Sequence, residues 1–147
     1  MNPFASPESA YSFFNAIAFF AWLILAIAPH SENIRKILVN ILITFFALSY
    51  AYLLVSTFRL ESFSEFSTLE GLKGLFSDPL AVVTGWIHYL AFDLLTGVLI
   101  AKDASKQGFS RLVIPVFLLF TFMAGPLGWL IYWVARTVKT RGSFIRV

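Results

Sequence analysis

Apolar residues run almost unbroken through 11–28, 37–57, 80–101 and 112–134, and polar residues collect between these runs. Each run is close to the ~20 residues a helix needs to cross ~30 Å of hydrocarbon. None alternates with the period of two that marks a half-buried strand. The pattern predicts an all-α integral membrane protein: a four-helix bundle forming a single membrane domain over 1–147. An even number of crossings would leave both termini on the same side.

Local signals support these boundaries. Ser9 or Ser12 can cap the first run, which ends at Pro29, and Ser31 can cap the second. Asp78-Pro79 places a capping carboxylate before a proline, a strong start for the third run. Between the second and third runs, Phe63, Phe66, Leu69, Leu72 and Leu75 recur every three residues among Glu, Ser and Lys. This spacing predicts a short amphipathic segment at the membrane interface, interrupted at Gly71 and Gly74. In the second run, Asn40, Thr44, Ala47 and Ala51 share a face and are expected to line a close helix–helix contact. In the fourth, Pro126 of Gly125-Pro126-Leu127-Gly128 cannot donate to the carbonyl of Phe122, so a mid-helix kink is expected.

Composition sharpens the class. Of 147 residues, 59% are hydrophobic and 13% charged, and the mean hydropathy is +0.80. A soluble domain is nearer ~25% charged. Without cysteine there is neither a disulfide nor a thiolate centre. His30 and His88 lie on different elements, which argues against a multi-histidine haem or di-metal site, and no metal is expected. Dinucleotide, P-loop and nucleophile-elbow motifs do not occur. The basic residues near the C-terminus suit anionic lipid rather than nucleic acid. The first ten residues contain no Lys or Arg, so the first run itself is expected to act as the targeting signal. With four crossings, Arg59, Lys73, Arg136, Lys139, Arg141 and Arg146 would face one side. Arg35, Lys36, Lys102, Lys106 and Arg111 would face the other. That near balance tips the termini only slightly toward the cytoplasm.

The candidate chemistry sits in the third run, where His88 and Asp93 interrupt an apolar helix. An ionisable group at membrane depth costs ~2.5–3.5 kcal/mol on insertion scales, so it needs a reason to be there. At 100° per residue, Asp93 lies about 140° around the helix from His88, too far for direct pairing. Trp86, Tyr89, Asp93 and Thr96 form one polar–aromatic stripe with His88 on its flank. Two arrangements follow. Both groups may flank one wide cavity as proton donor and acceptor, the acid kept neutral by its apolar surroundings. Otherwise each is satisfied by a different neighbouring helix and serves as interhelical glue. On the first run Asn15, Phe19, Trp22 and Ala26 share a face. Asn15 is expected to bond a neighbouring helix, and Trp22 to sit at an interface or line a pocket. The abundance of Phe, 17 residues, would suit a long conjugated or isoprenoid ligand as well as lipid.

Trp86-Ile87-His88, Asp93-Leu94, Asp103, Arg111 and Gly125-Pro126-Leu127-Gly128 together resemble the abscisic-acid-deficient-four family, chiefly over 80–136, with weaker agreement around Asn15 and Pro29. These are four-helix membrane proteins of plastids and many bacteria, linked in plants to neoxanthin synthesis from violaxanthin. The resemblance implies a bacterial inner-membrane or thylakoid location and a carotenoid-related activity without a redox cofactor. That conversion is an isomerisation in which a 5,6-epoxide opens and C7 loses a proton, giving an allene. His88 and Asp93 would supply the acid and the base. Trp86, Tyr89, Thr96, Asn15, Trp22, Pro126, Asp103 and Arg111 would contact the substrate. A non-catalytic carotenoid-binding protein and a small structural subunit of a membrane complex are the alternatives. The implied partners are a carotenoid or other isoprenoid, the bilayer, and a second copy or other membrane proteins.

Overall fold

A computed structural model describes residues 6–57 and 60–140, with the side chains of 60–63 left aside. The chain is all-helical over these residues. Helix α1 spans Pro7–Ile27, α2 Glu32–Thr57, α3 Leu69–Leu75, α4 Pro79–Lys106, α5 Ile114–Met123 and α6 Gly125–Thr140. A 3-10 turn, Leu60–Ser67, precedes α3. Helices α1, α2 and α4 are long and apolar enough to cross a membrane.

The caps at Ser31 and Asp78 form as the sequence suggests: Ser31 accepts from the Ile34 amide at 3.3 Å and Asp78 from that of Leu80 at 2.8 Å. Helix α1 starts earlier than expected, because Ser6 rather than Ser9 or Ser12 is its cap and Pro7 takes the first turn. The connecting segment breaks at Thr68, whose hydroxyl caps α3, and α3 then runs through both Gly71 and Gly74. Gly71 lies against the backbone of Glu65, where a side chain would have no room. Phe63 lies outside the described side chains.

The stripe on α2 faces the other way from the expectation. Asn40, Thr44, Ala47 and Ala51 are exposed, whereas Leu38, Phe46, Ser49 and Leu53 are buried. A π-helical turn over Leu38–Ile43 shifts the phase of the helix at that point. Asn40 and Thr44 satisfy their polar groups on their own helix, at the carbonyls of Lys36 (2.9 Å) and Val39 (3.1 Å).

The largest departure is in the fourth run, which is not one continuous helix. Helix α5 ends at Met123, Ala124 is extended (φ −158°, ψ 76°), and α6 begins at Gly125. The chain then doubles back. Thr121 of α5 lies against Gly128 of α6, and the rings of Phe117 and Tyr132 meet at 5.4 Å. Lys139 donates to the carbonyl of Gly108 at 2.8 Å and sits over the Phe109 ring. Proline removes one helical hydrogen bond, and two flanking glycines let backbones approach closely, so what sequence alone suggests as a kink becomes a turn. At 1.5 Å per residue α5 is ~15 Å long, half a bilayer core. Pro7, beside Pro79 and Val82, and Lys139, beside Gly108, consequently lie at opposite ends of the bundle.

Two apolar cores support this arrangement. One gathers Phe14, Phe46, Leu53 and Ile87 from α1, α2 and α4. The other gathers Trp22, Leu25, Leu94, Ile100, Leu118 and Tyr132, seating the α5–α6 hairpin on α1 and α4.

Candidate functional site

Asp93 lies midway along α4, and the tip of the hairpin is pressed against it. Its carboxyl touches Gly125 so closely that any β-carbon there would collide with Oδ1. The side chain is 9% exposed, and Oδ2 is buried without a hydrogen-bond partner. The Tyr89 hydroxyl, one turn earlier, is turned toward the same carboxyl and toward the backbone of Gly125. Gly125 also opens α6, so the positive end of a half-helix dipole stands at the acid, although Pro126 has no N–H and the Leu127 and Gly128 amides already bond the Ala124 carbonyl at 2.8 and 3.2 Å. Broken helices at membrane depth carry polar sites in this way, because loose backbone is tolerated only where it meets protein or a cavity.

A groove of about 370 Å³ opens beside the acid, lined by Asp93, Thr96, Leu99, Gly125, Pro126 and Trp129. The Thr96 hydroxyl is already engaged, donating to the Phe92 carbonyl at 2.8 Å. The polar–aromatic stripe continues along α4 from there. Tyr89 stacks on Trp86 at 5.1 Å, and Trp86 packs against Tyr11 of α1 at 5.8 Å. The indole N–H of Trp86 donates to Asn15 Oδ1 at 3.1 Å, and Asn15 in turn donates to the Tyr11 carbonyl at 2.8 Å. Asn15 therefore bonds a neighbouring helix, as expected of it.

The other candidate residues are placed elsewhere. His88 faces outward, its ring against Phe92 (4.7 Å) and Tyr50 (5.2 Å), and it is not among the residues around Asp93. Trp22 is buried against Gly97 and meets Phe122 of the hairpin at 5.8 Å. With Phe19, Leu23, Pro115 and Leu118 it lines a separate apolar groove of about 330 Å³. Asp103 is ten residues beyond Asp93, ~15 Å along the helix. There it pairs with the buried Arg136 at 2.5 Å and accepts from the Tyr132 hydroxyl. Arg111 donates twice to the Ile27 carbonyl, at 3.1 and 2.6 Å, capping the end of α1. Asp103 and Arg111 thus fasten helix ends and do not reach the groove beside Asp93.

Two residues that residue type alone does not single out also carry structure: Arg136 holds Asp103, and Trp129 lines the groove beside Asp93. Arg136 belongs to the basic residues near the C-terminus, yet it and Tyr132 stand one helical turn apart on α6 and both meet Asp103 of α4. That spacing was the available signal.

The family model described as ABA DEFICIENT 4-like matches residues 9–132, a stretch that includes the stripe, Asp93 and the hairpin tip. No protein of curated function and no solved structure matches the chain.

Proposed function

Because the chain belongs to the ABA DEFICIENT 4-like family, we propose that it acts on a carotenoid inside the membrane, as a redox-neutral isomerase of the epoxide-opening type. The observation that carries this reading is the buried Asp93 carboxyl, with one oxygen unpartnered, facing a groove at the tip of a broken helix. We take α1, α2 and α4 as the crossings and α5–α6 as a re-entrant hairpin that delivers Gly125 to mid-membrane.

The balance of the reaction suits a single carboxyl. Protonated Asp93 gives its proton to the epoxide oxygen as the C–O bond to the ring carbon next to the polyene breaks. The carboxylate so formed takes the proton from the adjacent vinylic carbon, and the C–H electron pair becomes the new double bond. One proton enters and one leaves, and no electron is exchanged. Tyr89 holds the carboxyl in place, and the positive end of the α6 dipole stabilises its charged form between the two transfers. Trp86 and Tyr89 supply flat surfaces for the conjugated chain.

The position of His88, away from Asp93, favours a second reading: a carotenoid-binding protein without turnover, in which Asp93 fixes a polar end group. Pigment extracted from the detergent-purified protein, produced in a carotenoid-accumulating host, separates the two. Under the enzyme reading, wild type carries or releases an isomerised carotenoid. Asp93→Asn then loses that product but keeps the same elution profile on size exclusion. Unaltered pigment in both proteins would establish binding alone. A colourless, stable wild type would overturn both readings for the pigments of that host.

A further inference from the structure

A third cleft, of about 540 Å³, lies between α2 and α4 at the end of the bundle where α4 finishes. Its rim carries Arg35 and Lys36 from α2 and Lys102 and Lys106 from α4, with Glu32 as the acid among them. Its wall is apolar, formed by Val39, Leu95, Val98 and Leu99. The cleft exists because α2 leans away from α4 there. In its first twelve residues α2 buries only Leu38, whereas farther along it buries Phe46, Ser49 and Leu53. The π-helical turn at Leu38–Ile43 falls beside the opening and contributes Val39 and Asn40 to it. Such turns often mark functional positions within helices.

The charges of this rim are unevenly satisfied. Lys36 pairs with Glu32 at 2.7 Å, and Arg35 gives one N–H to the Pro29 carbonyl at 2.6 Å. Lys102 and Lys106 stand one turn apart on the same face of α4, and among the described residues neither has a hydrogen-bond or ion-pair partner. Like charges at this spacing repel, and an anion held between the helices would relieve them. A cationic rim above an apolar wall at the border of a membrane helix matches an anionic amphiphile, its phosphate on the rim and its chains along the wall.

We propose that this cleft binds a phospholipid with an anionic headgroup. The site is distinct from the groove at Asp93 and does not depend on the carotenoid reading. To test it, the full-length protein in uncharged detergent micelles is given phosphatidylglycerol, phosphatidylcholine or inorganic phosphate. Bound lipid is counted by native mass spectrometry, and thermal unfolding is followed in parallel. Phosphatidylglycerol should remain bound and raise the unfolding temperature, while phosphatidylcholine should do neither. Lys102→Gln with Lys106→Gln should weaken its retention roughly ten- to thirtyfold. Lys102→Arg with Lys106→Arg should preserve it, and Lys73→Gln, at the other end of the bundle, should leave it unchanged. Equal retention in the glutamine pair and the wild type would overturn the proposal. So would equal effects of the two lipids, or an inorganic phosphate effect as large as that of phosphatidylglycerol.

Discussion

At Gly125 and Asp93 two residues share one volume, and each constrains the other. The carboxyl occupies the space a β-carbon would need, so Gly125→Ala must displace either Asp93 or the start of α6. Overpacking of this kind typically costs ~1–3 kcal/mol, and here the strain falls on the acid itself. Gly125→Ala should therefore lower the unfolding temperature and also disturb pigment handling. Gly74→Ala, where a β-carbon meets open space, should do neither. Thermal unfolding and pigment extraction on the two variants check this together. If Gly125→Ala behaved like Gly74→Ala, the close contact between hairpin tip and acid would be refuted. Some of this site was legible from residue types alone. The one-face spacing of Trp86, Tyr89, Asp93 and Thr96 follows from helix geometry, and the structure keeps them on one side of α4. The partner of that stripe was not legible, because nothing in a lone Gly-Pro says which helix its turn will touch.

Among the elements, the hairpin is the least predictable part and the most consequential. Residues 112–134 have the length and hydropathy of a crossing, and a proline within such a run is ordinarily accommodated as a kink. What decides between kink and turn is long-range: Asp103 with Arg136, Tyr132 with Phe117, and Lys139 with the Gly108 carbonyl. Those contacts pair residues far apart in sequence, so no periodicity within α5 or α6 reveals them. Helices α1, α2 and α4, by contrast, are set by their own apolar length and caps, and they appear where the pattern puts them. The Asp103–Arg136 pair is buried, with side-chain exposures of 15% and 4%, and its two halves are unequal in consequence when one is removed. Asp103→Asn takes the carboxylate away from a buried guanidinium and should lower stability, measured as denaturant or thermal unfolding in detergent. Combining it with Arg136→Met removes the buried charge together with its counter-charge, so the double variant should lose less than the two single losses added. A double variant as unstable as the sum of the singles would show that the two side chains do not act as a pair.

For the whole molecule, the hairpin changes how charge is distributed across the membrane. With four crossings the cations are nearly balanced between the two sides. With three crossings and a hairpin, Arg35, Lys36, Lys102, Lys106, Arg111, Arg136 and Lys139 all stand at the end where α4 finishes. Lys73 stands at the other end; Arg59, Arg141 and Arg146 lie outside the described residues. On the three-crossing arrangement proposed above, the positive-inside rule predicts the α4–α5 turn on the cytoplasmic side, or its plastid equivalent, and the start of α1 on the far side. Because the chain has no cysteine, single-cysteine variants report topology without background. Glu8→Cys, Ser110→Cys and Thr140→Cys, each in sealed vesicles of known sidedness, should react with a membrane-impermeant maleimide. Ser110→Cys and Thr140→Cys should label from the same, cytoplasmic face, and Glu8→Cys only from the opposite one. A continuous fourth crossing would separate Ser110 from Thr140 and place Thr140 with Glu8. That labelling pattern would also remove Gly125 from its half-depth position at Asp93, and with it the acid site built there.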